Sequence, residues 1–295
     1  MLTSIIVGAL SAAALIPQTD TIINLNGASR LDLESFRGEV VVRTWDRDAI
    51  QINADHPNSR FVDIDRSGNT IHIEVGAERG MGLSGSVDFE LTVPPSMDLS
   101  IEGMALEVDI TGAQGEVDVN TIHGSISLQG GRGSISLESV NGSVTVEGAQ
   151  GDMDITGVNG GVTIRNSSGD IYVEGVGGSV TLEGVDSRDI EVGTVGGSLR
   201  FEGSIQDGGV YTFGSHGGQI WLYLPENMNA HLEAVTLAGN IEVDYPGAPS
   251  EPTRGHGIPG LREMELVFET GSGSARIEVE TFGGTVHILR AGGRD

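Results

Sequence analysis

The chain has 295 residues, with 16 Lys+Arg against 42 Asp+Glu, a formal charge of −26, 46 glycines, 4% aromatic residues and no cysteine. So acidic a surface repels phosphate backbones and anionic headgroups, which argues against nucleic-acid and anionic-membrane partners and leaves cationic ones open. The missing thiols exclude disulfides, thiol nucleophiles, thiolate metal sites and a lipid-modified cysteine anchor.

In chain order the first feature is "LTSIIVGALSAAALI", residues 2–16, apolar and uncharged, followed by Pro17. Its length fits a signal-peptide core better than a bilayer span, and Ala12-Ala13-Ala14 supplies an A-x-A cleavage pattern. We therefore expect a signal peptide over 1–16 and an extracytoplasmic mature chain (periplasm, cell surface or secreted) with no transmembrane segment. Residues 20–95 carry alternating runs such as "RLDLESF", "EVVVRTW", "TIHIEV" and "VDFELTV", and Pro94-Pro95 closes them. They are expected to form an N-terminal β region or cap.

From residue 96 a repeat takes over. Glycine stands at 115, 124, 133, 142, 151, 160, 169 and 178, a spacing of nine, and after one inserted residue the pattern resumes at Arg188 and Gly197. The third and fifth residues of each unit are apolar, for example Ile126/Leu128, Ile135/Leu137 and Val144/Val146. Nine is thus a short half-buried strand plus a corner, the glycine serving either positive φ or close approach of neighbouring coils. The eighth residue alternates, large on odd units (Ile122, Val140, Val158, Val176, Val195) and mostly small on even ones (Gly131, Ala149, Ser167). That eighteen-residue superperiod predicts a coil of two strands with unlike corners. The expected fold is all-β, a parallel β-helix-like β-solenoid with about 18 residues per two-strand coil, over 96–245, flanked by β-rich caps. A Pro/Gly loop at 246–260 and C-terminal cap strands at 261–290 complete the chain.

Three stretches carry a family resemblance: "LTVPPSMDLSIEGMALEVDITGAQGEVDVNTIHGSISL" (91–128), "LYLPENMNAHLEAVTLAGNIEVDYP" (222–246) and "FETGSGSARIEVETFGGTVHIL" (268–289). A strand ends in proline, a polar link follows, and G-[DES]-φ-x-φ units close on T-x-x-G corners. In this the chain resembles a bacterial family of exported, adhesin-like β-strand-repeat proteins, a domain of unknown function. The resemblance implies a solenoid-like fold outside the cytoplasm, and it supplies no catalytic motif.

Two faces carry the candidate chemistry. The even strands point Ser125, Ser127, Ser143, Thr145, Thr163, Ser179 and Thr181 outward, with Glu147, Arg165, Glu183 and Arg200 at the margin. Regular hydroxyls on a rigid sheet can meet a glycan, an envelope protein or a second copy of the chain; Ser and Thr also simply suit an exposed strand. The odd strands point Asp118, Asp152, Asp154, Asp170, Asp189 and Glu191 outward. This row is a candidate cation contact or, more simply, a solvated face that keeps a β-rich protein soluble.

No metal-ligand set and no cofactor motif is expected. The seven histidines show no H-x-x-x-H spacing, and there is no G-x-S-x-G. "GMGLSG" (80–85) has no following lysine to make a phosphate loop, and "GSGSAR" (271–276) reads as a turn into a strand. The expectation is a non-enzymatic adhesin-like or scaffold protein. The alternatives are a carbohydrate-active β-helix enzyme using the acidic row, and a periplasmic envelope protein that binds partners by strand addition.

Overall fold

A computed structural model describes residues 18–77, 85–254 and 263–292. All of their regular structure is β. The signal sequence expected at 1–16 lies outside these residues, as do 80–84 of the rejected phosphate loop and 255–260 of the Pro/Gly loop.

The alternation of nonapeptides becomes two parallel walls. Ile135–Ser139 pairs with Val117–Thr121 on one side and Met153–Gly157 on the other, all odd units. Val144–Glu147 pairs with Ile126–Gln129 and Val162–Arg165, all even units. Like residues stack: Ile135 opposite Met153 and Val117, Thr145 opposite Thr163 and Ser127. The apolar third and fifth residues face inward from both walls, and Ile135, Leu137, Val144 and Val146 are at most 1% exposed. Each coil hides this apolar surface only against its neighbours, so the core is one continuous stack.

The glycine spacing has a steric cause. A Cβ on Gly142 would lie under 3.0 Å from the carbonyl oxygen of Gly124, and the same holds for Gly160 on Gly142, Gly178 on Gly160 and Gly197 on Gly178. Close approach of successive coils, not backbone conformation, therefore sets the period: only Gly124 and Gly169 of the eight have positive φ, 143° and 112°. Beside this glycine column runs a column of buried hydroxyls. Ser139 Oγ accepts the Gly142 N–H and donates to the Gly124 carbonyl, both at 2.9 Å. Ser215, Thr236 and Thr281 accept from Gly218, Gly239 and Gly284 at 2.9–3.1 Å. This is the T-x-x-G corner of the sequence, closed by the side chain because the turn leaves the glycine N–H without a ladder partner.

The flanks depart from the expected boundaries. Solenoid coils are not confined to 96–245. Arg30–Thr44 crosses from one wall to the other and pairs in parallel with Asp98–Thr111 along most of its length. Its two halves also pair with Thr70–Ala77 and Asp88–Val93, so it lies between two coils that follow it in sequence. At the other end Ala275–Thr281 and Thr285–Arg290, expected as cap strands, form a coil inserted between the strands at 210–224 and those at 230–244. These segments keep the inward alternation of a coil but lack the nine-residue glycine spacing, which is why the repeat does not announce them. The end strands proper are antiparallel: Gln18–Asn24, Ala49–Asp55 and Arg60–Ser67 at one end, Met264–Thr270 and Thr253–Arg254 at the other.

Candidate functional site

On the hydroxyl wall, Ser127, Thr145, Thr163 and Thr181 form one column in register, each half-buried between its neighbours. Ser125 and Ser143 stand one residue before the strand and are joined by a 3.1 Å hydrogen bond from Ser143 Oγ to Ser125 Oγ; Ser179 holds the equivalent position two coils on. The seven residues named from the sequence thus share one face.

The column does not stop at Thr181. Arg200, placed at the margin by the sequence, is the next rung, and Trp221, His287 and Glu242 follow. Trp221 and His287 stack at 3.7 Å with planes 9° apart, and His287 Nδ1 lies 3.1 Å from Glu242 Oε2. The Arg200 guanidinium sits over the Tyr223 ring, 4.0 Å from its centroid. Along the neighbouring column Arg165 pairs with Glu183 at 3.0 Å. A hydroxyl track therefore ends in an aromatic and cationic cluster. Sequence reasoning missed this because the coil carrying His287 is inserted out of order; the shared phase of "QIWLYL" and "TVHIL" is the only signal present in the sequence.

On the acidic wall Asp154 is flanked by Ser136 and Tyr172, and Glu191 follows Tyr172. Asp118 stands two coils before Asp154 in the same column. Asp152 and Asp170 stand one residue before successive odd strands and Asp189 begins the next, and with Asp154, Tyr172 and Glu191 they line an open hollow of about 250 Å³. Asp118 lies outside it. Asp152 is already engaged by the main chain, since its Oδ1 accepts the backbone N–H of Asp170 at 3.1 Å, as Asp98 does for Glu116 at 2.9 Å. Tyr172 donates to Glu174 Oε1 at 2.5 Å, and that bond pushes its phenol pKa up to about 12, helped by desolvation and by the charges of Glu174, Glu191 and Asp154.

Among the described residues no group of three or more His, Asp or Glu comes together as a metal site. Outside the acidic row, hydrogen bonds from Ser204 and Gln206 lower the carboxyl pKa of Asp186, and bonds from Asn229 and Ser274 lower that of Asp207.

A parallel stack of short strands with glycine corners, running almost the whole length of the chain, is the trait that decides kinship here. The family model described as Toastrack DUF4097 matches residues 28–288. The chain belongs to this family. The resemblance read from the sequence, to a β-strand-repeat domain of unknown function, thus holds over residues 28–288. No curated protein matches the sequence. Among solved structures, a candidate cell adhesion protein from Clostridium sporogenes aligns with 93% of this chain and 99% of its own at 11% identity, with a TM-score of 0.23, too low to bear on the fold or function of this Toastrack chain. Among the described residues no helix is long and apolar enough to cross a membrane.

Proposed function

We propose that this Toastrack chain is an exported, non-enzymatic adhesin-like or scaffold protein whose hydroxyl wall gathers many weak contacts with a glycan or an envelope protein. The observation that carries the reading is the in-register column Ser127–Thr145–Thr163–Thr181, uncharged on a chain of net charge −26 and continued by Arg200 and Trp221. A wall whose side chains are held by their neighbours loses little further entropy when it meets a periodic partner, so individually weak hydrogen bonds add up. Export is supported by the apolar run at 2–16 with its A-x-A pattern.

The test replaces Ser127, Thr145, Thr163 and Thr181 together with Lys and compares wild type and variant on a glycan array and on isolated envelope fractions. A variant that retains its circular dichroism spectrum and loses attachment supports the wall as the contact surface. Unchanged attachment overturns it. Should four cations disturb folding, the corresponding Ala variant, which removes only the hydroxyls, decides the same question.

A further inference from the structure

The large eighth residues of the odd units form a column at the corner beyond the acidic wall. Val176, Val195, His216, Phe282 and Leu237 are successive rungs, joined by main-chain bonds such as Val195 N to Gly175 O (3.0 Å), His216 N to Thr194 O (3.0 Å), Phe282 N to Ser215 O (3.1 Å) and Leu237 N to Thr281 O (3.1 Å). They face solvent: Val176 and Phe282 are 44% exposed and Val195 is 53% exposed. His216 and Phe282 stack at 5.0 Å.

Two residues before each of these rungs runs a second column, Glu174, Gly193, Gly214, Glu280 and Val235. Its two glycines differ from those of the repeat. A Cβ on Gly193 would meet nothing within 4 Å, and one on Gly214 only the Val192 carbonyl oxygen at 3.9 Å; neither glycine has positive φ. Neither packing nor backbone conformation calls for glycine there, and glycine weakens a strand. Their effect is an absence of side chains between two carboxylates. The result is a trough of about 620 Å³ beside the apolar column, with Glu174 at one end and Glu280 one rung before Val235 at the other.

Three strand spacings separate Glu174 from Glu280, roughly 14 Å. An extended chain rises about 3.3 Å per residue, so side chains at i and i+4 point the same way about 13 Å apart, with i+2 between them. We propose that this trough docks an extended segment of a partner protein bearing a basic, an apolar and a second basic side chain at alternate positions. The central side chain packs on Val195 and Phe282 over the two glycines, and the cations meet Glu174 and Glu280. Among the described residues lining the trough there is no Arg, and the charge of the whole chain draws a basic segment in. The site lies on a different surface from the hydroxyl wall and stands or falls independently of it.

The probe is a fluorescein-labelled peptide GSKSLSKSG, with GSESLSESG as control, titrated with the purified chain by fluorescence anisotropy. Expected is saturable binding of the Lys peptide only. Gly193→Leu with Gly214→Leu fills the trough and weakens binding at least about tenfold, while the thermal midpoint does not fall, because the added side chains enter open space on strands. Glu174→Gln with Glu280→Gln weakens it about fivefold at low salt, and the loss shrinks as salt is added. Equal binding of both peptides, or full affinity in the filled variant, overturns the proposal. So does a wild-type dimer on size exclusion that the filled variant abolishes without any peptide binding, which assigns the trough to a second copy of the chain. If the filled variant fails to fold, the Glu174/Glu280 pair of substitutions, both at exposed positions, decides between these outcomes.

Discussion

Gly142 shows how a missing Cβ sets the period of the central repeat. A methyl group there would drive into the Gly124 carbonyl of the coil before it, and the coil after it repeats the same approach through Gly160. Gly142→Ala is therefore expected to destabilise by about 1–3 kcal/mol, the range for overpacking a tight contact, as read by urea unfolding. Gly193→Ala, where the methyl enters open space at ordinary φ, should instead stabilise by about 0.5 kcal/mol through the unfolded chain. Equal effects at the two positions would refute the steric account of the repeat. A second residue-scale expectation concerns Tyr172, whose phenol holds its proton up to about 12 because it donates to Glu174. Glu174→Gln takes away the acceptor's charge and should bring that titration back down toward the ordinary value near 10. Absorbance at 295 nm, taken as the difference from Tyr172→Phe in each background, checks the direction.

At the scale of the strand, burial is decided by parity. Ile135 is fully buried between Val117 and Met153, whereas Thr145 is only half-buried on the outer face of the opposite wall. Ile135→Asn places an unpaired amide in the stack and should cost about 3 kcal/mol or more, while Thr145→Asn should stay under about 1 kcal/mol. Paired chemical denaturation curves distinguish the two, and comparable losses would mean that the walls are assigned wrongly. Parity was legible from the first and so were the walls, because the nine-residue spacing, the inward alternation and the eighteen-residue superperiod each point to them separately. The eighth residues show where that legibility ends. Ile122, Val140, Val158, Val176 and Val195 were evident as a large-residue series, yet an apolar residue in a repeat suggests core. The corner turns them outward, because the buried position beside them is already taken by Ser139, Thr194 and Ser215.

At the scale of the molecule, contact follows stacking order, which is not chain order. The coil at 275–290 separates 210–224 from 230–244, so the final third of the chain is interleaved. Removing residues 245–295 should therefore leave the strands at 210–224 and 230–244 with open edges facing each other, abolish a cooperative unfolding transition and produce aggregates on size exclusion. A monodisperse truncated protein with a sharp transition would contradict the interleaved order. The same interleaving makes the two surfaces of interest. It brings His287 against Trp221 at the end of the hydroxyl track, and it brings Glu280 and Phe282 to the trough that begins at Glu174 and Val176.

By itself the sequence determined the two-walled coil, the buried ladders and the division of outward residues into a hydroxyl face and an acidic face, because each follows from local alternation and a strict period. Only the tertiary structure decided which coils are neighbours near the ends, that Asp152 is occupied by a main-chain N–H, and that two unforced glycines open a trough between two carboxylates. Those facts depend on pairings between residues as distant in sequence as Val210 and Arg276 or Ile220 and Val286, whose spacing carries no repeat. Pairing at that range is set by how the ends of the stack are closed, which no local pattern records.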